Sequence, residues 1–214
     1  MKLIIFDLDG TLINSLKDLA DAVNYALKEY GCPVHDVEKY RYFVGNGIPK
    51  LIERALPAEK CSEKMILDVK SKFEQYYDEH YADSTVPYEG ICDLLEALKA
   101  KGYKIAVASN KADEFTVKIA DKLFGSGKFD VVCGKRSDTP KKPSPVIIEN
   151  IMAEIGCKPE ETVMVGDSDV DIFTARNAGI KSIGCLWGFR TEKELLDAGA
   201  DHIVSSPMEI LKYI

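Results

Sequence analysis

The chain has 214 residues, with 28 Lys and Arg against 35 Asp and Glu, a net charge of -7 at pH 7. That acidic balance disfavours general binding to nucleic acid or to an anionic membrane, both of which need basic patches. The length suffices for one large domain or two small ones. There is no apolar run long enough to span a bilayer, and the N-terminus enters a strand without a signal-peptide pattern, so a cytoplasmic protein is expected. Six scattered cysteines without a CxxC spacing argue against a zinc site or a disulfide framework. His35, His80 and His202 sit by no motif and are expected to have surface or packing roles.

The apolar run Leu3-Ile4-Ile5 predicts a buried strand, and Phe6-Asp7-Leu8-Asp9-Gly10-Thr11 places two carboxylates and a glycine where that strand ends. In open α/β sheets, ligands collect at the carboxyl ends of such strands. Two acids there repel each other and lose hydration, so a metal ion, a retained proton or both are expected. A calcium loop fits poorly, because Leu12 and Ile13 follow the glycine in place of further oxygen ligands. A plain strand-to-helix turn remains open on this segment alone.

From about residue 14 to residue 84 the pattern becomes helical. Leu16, Leu19, Ala20, Val23, Leu27 and Tyr30 recur at helical spacing, with Ser15 and Asp18 as a cap and Gly31 as a stop. Helices are also predicted over 47–56 and 62–81, the second with Met65, Ile66, Val69, Phe73, Tyr76 and Tyr77 on an apolar face. Strands and helices then alternate: helix 91–101, strand 104–108, helix 113–124, strand 130–133, helix 144–155, strand 162–165, helix 169–178 and strand 181–186. The expected fold is α/β, a Rossmann-like doubly wound parallel sheet (residues 1–13 and 85–214) with an inserted α-helical cap domain (residues 14–84).

Three further segments follow predicted strands. Lys104 to Ala108 runs into Ser109-Asn110-Lys111, a hydroxyl and turn amides able to hold a phosphate oxygen. Lys141-Lys142-Pro143-Ser144-Pro145 comes next, and Thr162 to Val165 leads to Gly166-Asp167-Ser168-Asp169-Val170-Asp171. In order and spacing these four segments resemble the motifs of the haloacid dehalogenase-like hydrolases, DxDGT, a strand-end Ser/Thr, a Lys and GDxxxD, and the likeness covers nearly the whole chain. The helical insertion resembles the small cap of the phosphoglycolate phosphatase-like branch, as do Val44-Gly45-Asn46-Gly47-Ile48 and Trp187-Gly188-Phe189-Arg190. Two departures stand out: Asn14 replaces the Asp common before the hinge serine, and Gly134 to Thr139 is more basic than is usual in that branch.

The chemistry follows from charge. A phosphate monoester dianion repels an attacking anion, so its site needs cationic screening and in-line positioning. Asp7 is the expected nucleophile, giving an aspartyl-phosphate, and Asp9 the acid and base that protonates the leaving alkoxide and then activates water. Mg²⁺ is the expected cofactor, held by Asp7, the Asp9 carbonyl and Asp167. The resemblance further implies that Lys142 offsets the acids and binds phosphate with Ser109 and Asn110, while Asp171 supports the metal from behind. Lys135, Arg136 and Lys141 read as a solvated loop, and Asp169 as an exposed first-turn acid.

Gly45, Asn46 and Gly47 could present amides to the carboxylate of 2-phosphoglycolate or could simply cap a helix. The sequence therefore points to a Mg²⁺-dependent phosphatase of a small phosphate monoester, 2-phosphoglycolate first, with a monomer or homodimer both compatible. An inorganic pyrophosphatase and a β-phosphoglucomutase-like phosphosugar mutase remain alternatives, and a non-catalytic binding module ranks last.

Overall fold

The computed structural model describes residues 2–214. The chain separates into two compact units, one formed by the N-terminal segment through Asn14 with Pro87–Ile214, the other by Ser15–Val86. In chain order the elements are β1 (Leu3–Phe6), β2 (Ile13–Asn14), α1 (Leu16–Glu29), α2 (Ile48–Ala55), α3 (Glu63–His80), β3 (Val86–Pro87), α4 (Ile91–Ala100) and β4 (Lys104–Ala112). They continue with α5 (Asp113–Phe124), β5 (Val131–Lys135), α6 (Val146–Ile155), β6 (Thr162–Gly166), α7 (Asp169–Asn177), β7 (Lys181–Cys185), α8 (Glu192–Ala198) and β8 (His202–Val204). Short 3-10 turns lie at Val37–Tyr42, Ala58–Lys60, Pro159–Glu161 and Pro207–Lys212.

Among the described residues, the first unit is built on one six-stranded sheet in the order β5-β4-β1-β6-β7-β8, with every pairing parallel. All four residues of β1 are fully buried, because a strand flanked by parallel neighbours is covered on both faces. Leu3 and Ile5 share a core with Ala106 and Ala108 of β4, Met164 of β6 and Ile147, Ile148 and Ile151 of α6. Helices α4 and α5 pack on β4. The expected α/β class is observed.

Two features differ from the sequence reading in this unit. Strand β4 continues through the polar residues Ser109 to Ala112, with its register to β5 irregular between Ala108 and Ala112. Asn110 holds this extension: its amide donates to the Lys142 carbonyl (3.1 Å) and its oxygen accepts from the Lys142 amide (2.7 Å). The chain past Leu186 also carries α8 and β8, for which the sequence offered no expectation.

The second unit is helical, with α1 packed on α3 and Val69, Phe73 and Tyr77 buried. Helix α1 ends as expected before Gly31, where the Cys32 amide donates to Leu27 (2.9 Å) and the Gly31 amide to Lys28 (3.0 Å). Its start is different. Ser15 stands at the N-cap without a side-chain cap hydrogen bond. Asp18, expected to cap, instead accepts from the Ser84 amide, the Thr85 amide and the Thr85 hydroxyl, the last at 2.6 Å. A buried carboxylate needs such donors, and those of the departing chain supply them.

Candidate active site

Strand β1 lies between β4 and β6, so the sheet reverses its winding there, the place in such sheets where ligands bind at the carboxyl ends of the strands. Asp7 follows β1, with its amide bonded to the Val165 carbonyl of β6 (2.9 Å). Asp167 follows the end of β6, Ser109 to Lys111 form the end of β4, and Lys142 comes shortly before α6. Residues far apart in sequence are thereby gathered at one edge of the sheet.

Lys142 is the hub of this cluster. Its ammonium, 2% exposed, donates to the Ala108 carbonyl (2.8 Å) and to Oδ1 of Asp171 (2.7 Å), and lies 2.9 Å from Oδ1 of Asp7. That Asp7 oxygen also accepts from the Leu8 amide at 2.7 Å. The other oxygen of Asp171 accepts from the Ser168 amide (3.1 Å) and hydroxyl (2.7 Å), a capping box at the start of α7. Asp171 is thus held on both oxygens by groups of the protein.

Asp167 is fixed just as closely. Oδ1 accepts from the Thr11 hydroxyl (3.1 Å) and Oδ2 from the Phe189 amide (2.8 Å). Gly10 allows this approach: it has φ +90°, and a Cβ there would lie 2.4 Å from Oδ2 of Asp167. Gly188 approaches as closely, since a Cβ there would lie 2.2 Å from the Asp167 Cβ and 2.4 Å from the Gly10 carbonyl oxygen. The Trp187-Gly188-Phe189 segment thus belongs to the wall of the site, and the Trp187 indole donates to the Thr11 carbonyl at 2.9 Å.

One carboxylate oxygen each from Asp7, Asp167 and Asp171 lies within 4.8 Å of the others. Burial first, and then the neighbouring Asp171 charge, push Asp7 up to about 8, against the pull of Lys142. The same two causes push Asp167 up to about 7, against the Phe189 amide and the Arg190 charge. Burial would lower Lys142, but the charges of Asp171 and Asp7 outweigh it and raise its pKa, so it stays an ammonium. Ionising all three acids against one buried lysine would leave an excess of negative charge, which, on top of burial, is why Asp7 and Asp167 hold their protons so far above the usual range. An all-oxygen donor set of this kind suits a hard divalent cation such as Mg²⁺.

Asp9 contacts a residue that the sequence reading did not single out. The Lys111 ammonium lies 3.1 Å from both Asp9 oxygens, with the lysine side chain 4% and the aspartate side chain 12% exposed. The signal that could have flagged it is a lysine directly after Ser109-Asn110 at the end of an apolar strand. Ser109 is buried at the same strand end, and its Oγ accepts from the Lys111 amide (3.2 Å). Gly45, Asn46 and Gly47 lie in the helical unit, where Gly45 has φ +115° and Gly47 has φ +83° at the N-cap of α2. Arg136 pairs with Asp113 at 2.9 Å, and Lys135 bonds the carbonyls of Arg136 and Thr139.

The fold and the site together define an α/β enzyme with an acidic cluster braced by a buried lysine at the switch point of a parallel sheet. The chain belongs to the haloacid dehalogenase-like hydrolases, whose family model matches residues 4–185. It is 38% identical over 99% of its length to the phosphoglycolate phosphatase of Aquifex aeolicus, covering 96% of that protein. A crystal structure of a predicted phosphoglycolate phosphatase from Haemophilus somnus superposes with a TM-score of 0.91 at 32% identity, covering 100% of this chain and 97% of that one. CbbY from Rhodobacter sphaeroides, solved in complex with xylulose-(1,5)bisphosphate, is 26% identical with a TM-score of 0.79, covering 98% of this chain and 96% of that one. No helix among the described residues is long and apolar enough to cross a membrane.

Proposed function

We propose that this hydrolase is a Mg²⁺-dependent phosphatase of small phosphate monoesters, with 2-phosphoglycolate as its substrate. The observation that carries the reading is the acidic cluster of Asp7, Asp167 and Asp171 braced by the buried Lys142. The choice of substrate is carried over from relatives called phosphoglycolate phosphatases that match this chain along almost its full length. Its free cysteines fit a reducing compartment such as the cytoplasm.

In this reading a carboxylate oxygen of Asp7 attacks phosphorus in line with the ester bond. The Asp7–phosphorus bond forms as the bond to the leaving oxygen breaks, giving an aspartyl-phosphate. Asp9 gives its proton to the leaving alkoxide. A water then attacks the aspartyl-phosphate, passing its proton to Asp9, and phosphate and the Asp7 carboxylate are regenerated. Lys142 keeps Asp7 aimed, while the Ser109 hydroxyl and the Asn110 backbone amide at the end of β4 hold phosphoryl oxygens. Asp7, the Asp9 carbonyl and Asp167 would hold Mg²⁺, which supplies charge neutralisation for two anions that must meet. Asp171 orients Lys142 and the start of α7, and the Gly45-Asn46-Gly47 turn is assigned to substrate selection by the helical cap.

A phosphate-release screen over small phosphate esters and pyrophosphate, with and without Mg²⁺, tests the reading. The expected result is Mg²⁺-dependent release with 2-phosphoglycolate as the best substrate. Release from pyrophosphate alone, or phosphate transfer between sugar phosphates in place of release, would overturn it.

A further inference from the structure

Lys111 poses a physical question that the reaction scheme leaves unanswered. Its ammonium is buried against Asp9, and taking a cation out of water costs free energy that the contact with one acid only partly returns. Orienting a carboxylate does not require this, since a neutral donor would serve at lower cost. A cation placed beside the acid that protonates the leaving group has a second possible target, the leaving group itself.

We infer that Lys111 receives the carboxylate of the leaving group and thereby selects phosphate esters of short hydroxy acids. This rests on the phosphatase reading above and specifies its substrate class. The geometry runs from atom to atom. Asp9 must come within about 3 Å of the ester oxygen to protonate it. In the phosphate ester of a 2-hydroxy acid one carbon separates that oxygen from the carboxylate group, so ordinary bond lengths put the carboxylate oxygens about 3 Å away from it. The Lys111 nitrogen, 3.1 Å from both Asp9 oxygens, is therefore about one leaving-group length from the ester oxygen.

Lys111 is placed for this by the extension of β4. Its amide bonds the Ser109 hydroxyl at 3.2 Å, and Asn110 ties the same stretch to the Lys142 backbone. The residues assigned to the phosphoryl group and the one assigned to the carboxylate thus lie on three consecutive positions of one strand end. An ammonium has three N–H donors and can hold Asp9 and an incoming carboxylate together. A leaving group without a carboxylate gains nothing from it.

The test compares 2-phosphoglycolate with ethyl phosphate, which has the same ester oxygen and first carbon but no carboxylate, in wild type, Lys111→Met and Lys111→Arg. In Lys111→Met the ratio of kcat/KM for the two substrates should fall about 10- to 100-fold, the scale of one charged hydrogen bond, mostly through KM. Lys111→Arg, which keeps the charge, should recover part of it. Equal losses on both substrates would overturn the inference and leave Lys111 as a positioning residue for Asp9. If Lys111→Met does not fold, Lys111→Gln carries the same comparison.

The phosphate esters of lactate and glycerate separate this inference from the choice of glycolate. A wild-type preference for either of them over 2-phosphoglycolate, lost in Lys111→Met, would support Lys111 as the carboxylate receptor and reject 2-phosphoglycolate as the substrate. A wild type indifferent to the carboxylate would overturn the inference even while it released phosphate from other esters.

Discussion

Lys142 and Asp171 form a 2.7 Å ion pair in which the side chains are 2% and 1% exposed, and the same ammonium reaches Asp7 at 2.9 Å. Removing one member of a buried pair leaves the other charge uncompensated, at a cost of roughly 3–5 kcal/mol. Lys142→Met should therefore lower the melting temperature clearly and reduce kcat by about a hundredfold or more. Asp171→Asn should be milder in melting, because the amide can still accept from Ser168, yet should cost activity as Lys142 loses its anchor. Thermal melting beside steady-state kinetics checks both. Wild-type kcat in Lys142→Met would remove the lysine from the site.

Without a cation, Asp7 and Asp167 titrate up to about 8 and about 7, above the ordinary carboxylate range near 4. Between these values and that range the folded protein binds more protons than the unfolded chain, so stability falls as pH rises through the window. Chelator-treated protein should lose melting temperature between about pH 5 and pH 8. Added Mg²⁺ should restore it, with a larger rise at pH 8 than at pH 5. A Mg²⁺ effect independent of pH would mean that the cation does not meet these acids.

The two roles given to Asp9 separate by leaving group. Asp9→Asn keeps the backbone carbonyl and should keep the Mg²⁺ requirement, while losing turnover most with an alkyl phosphate whose alkoxide needs a proton. An activated aryl phosphate should lose far less. Lys111 retains an oxygen acceptor in this variant, so the comparison reports on the proton and not on a misplaced lysine. Equal losses on the two substrates would end the acid assignment.

Gly47 stands at φ +83°, where a β-branched side chain is strained, and it caps α2. If the turn takes part in substrate selection, Gly47→Val should reduce kcat/KM for 2-phosphoglycolate more than for a neutral aryl phosphate, with the melting temperature of the core largely retained. An unchanged ratio would leave the turn as a helix cap alone. Combined with Lys111→Met, the measurement apportions selectivity between the helical unit and the strand end.

What the sequence disclosed and what it withheld divide along physical lines. Continuous apolar runs and strand-end acids are local signals, so β1, β6 and the positions of Asp7 and Asp167 were legible, and α5 begins and ends at the predicted residues. The end of β4 was not, because Ser109 to Ala112 are polar and their extended shape is set by a bond pair to Lys142, 32 residues away. Asp18 misled for a similar reason: an acid in a first helical turn reads as a cap, while its actual partners are 66 and 67 residues distant. The Lys111–Asp9 pair spans 102 residues, so the local signal, a lysine just past a strand-end Ser-Asn, marks the lysine but not its partner. Helix α8 was legible in principle, since Thr191-Glu192-Lys193-Glu194 carries a capping box that the structure forms.

The central claim is that Asp7 becomes phosphorylated during turnover, and acid-quenched enzyme tests it most directly. Wild type mixed with Mg²⁺ and phosphate-labelled substrate, then digested, should carry the label on the peptide containing Asp7, and the label should disappear as substrate is exhausted. Asp7→Asn should show no label and turnover reduced by roughly a thousandfold or more, with its melting temperature close to that of wild type. Label on another residue, or near-normal turnover in Asp7→Asn, would contradict the account.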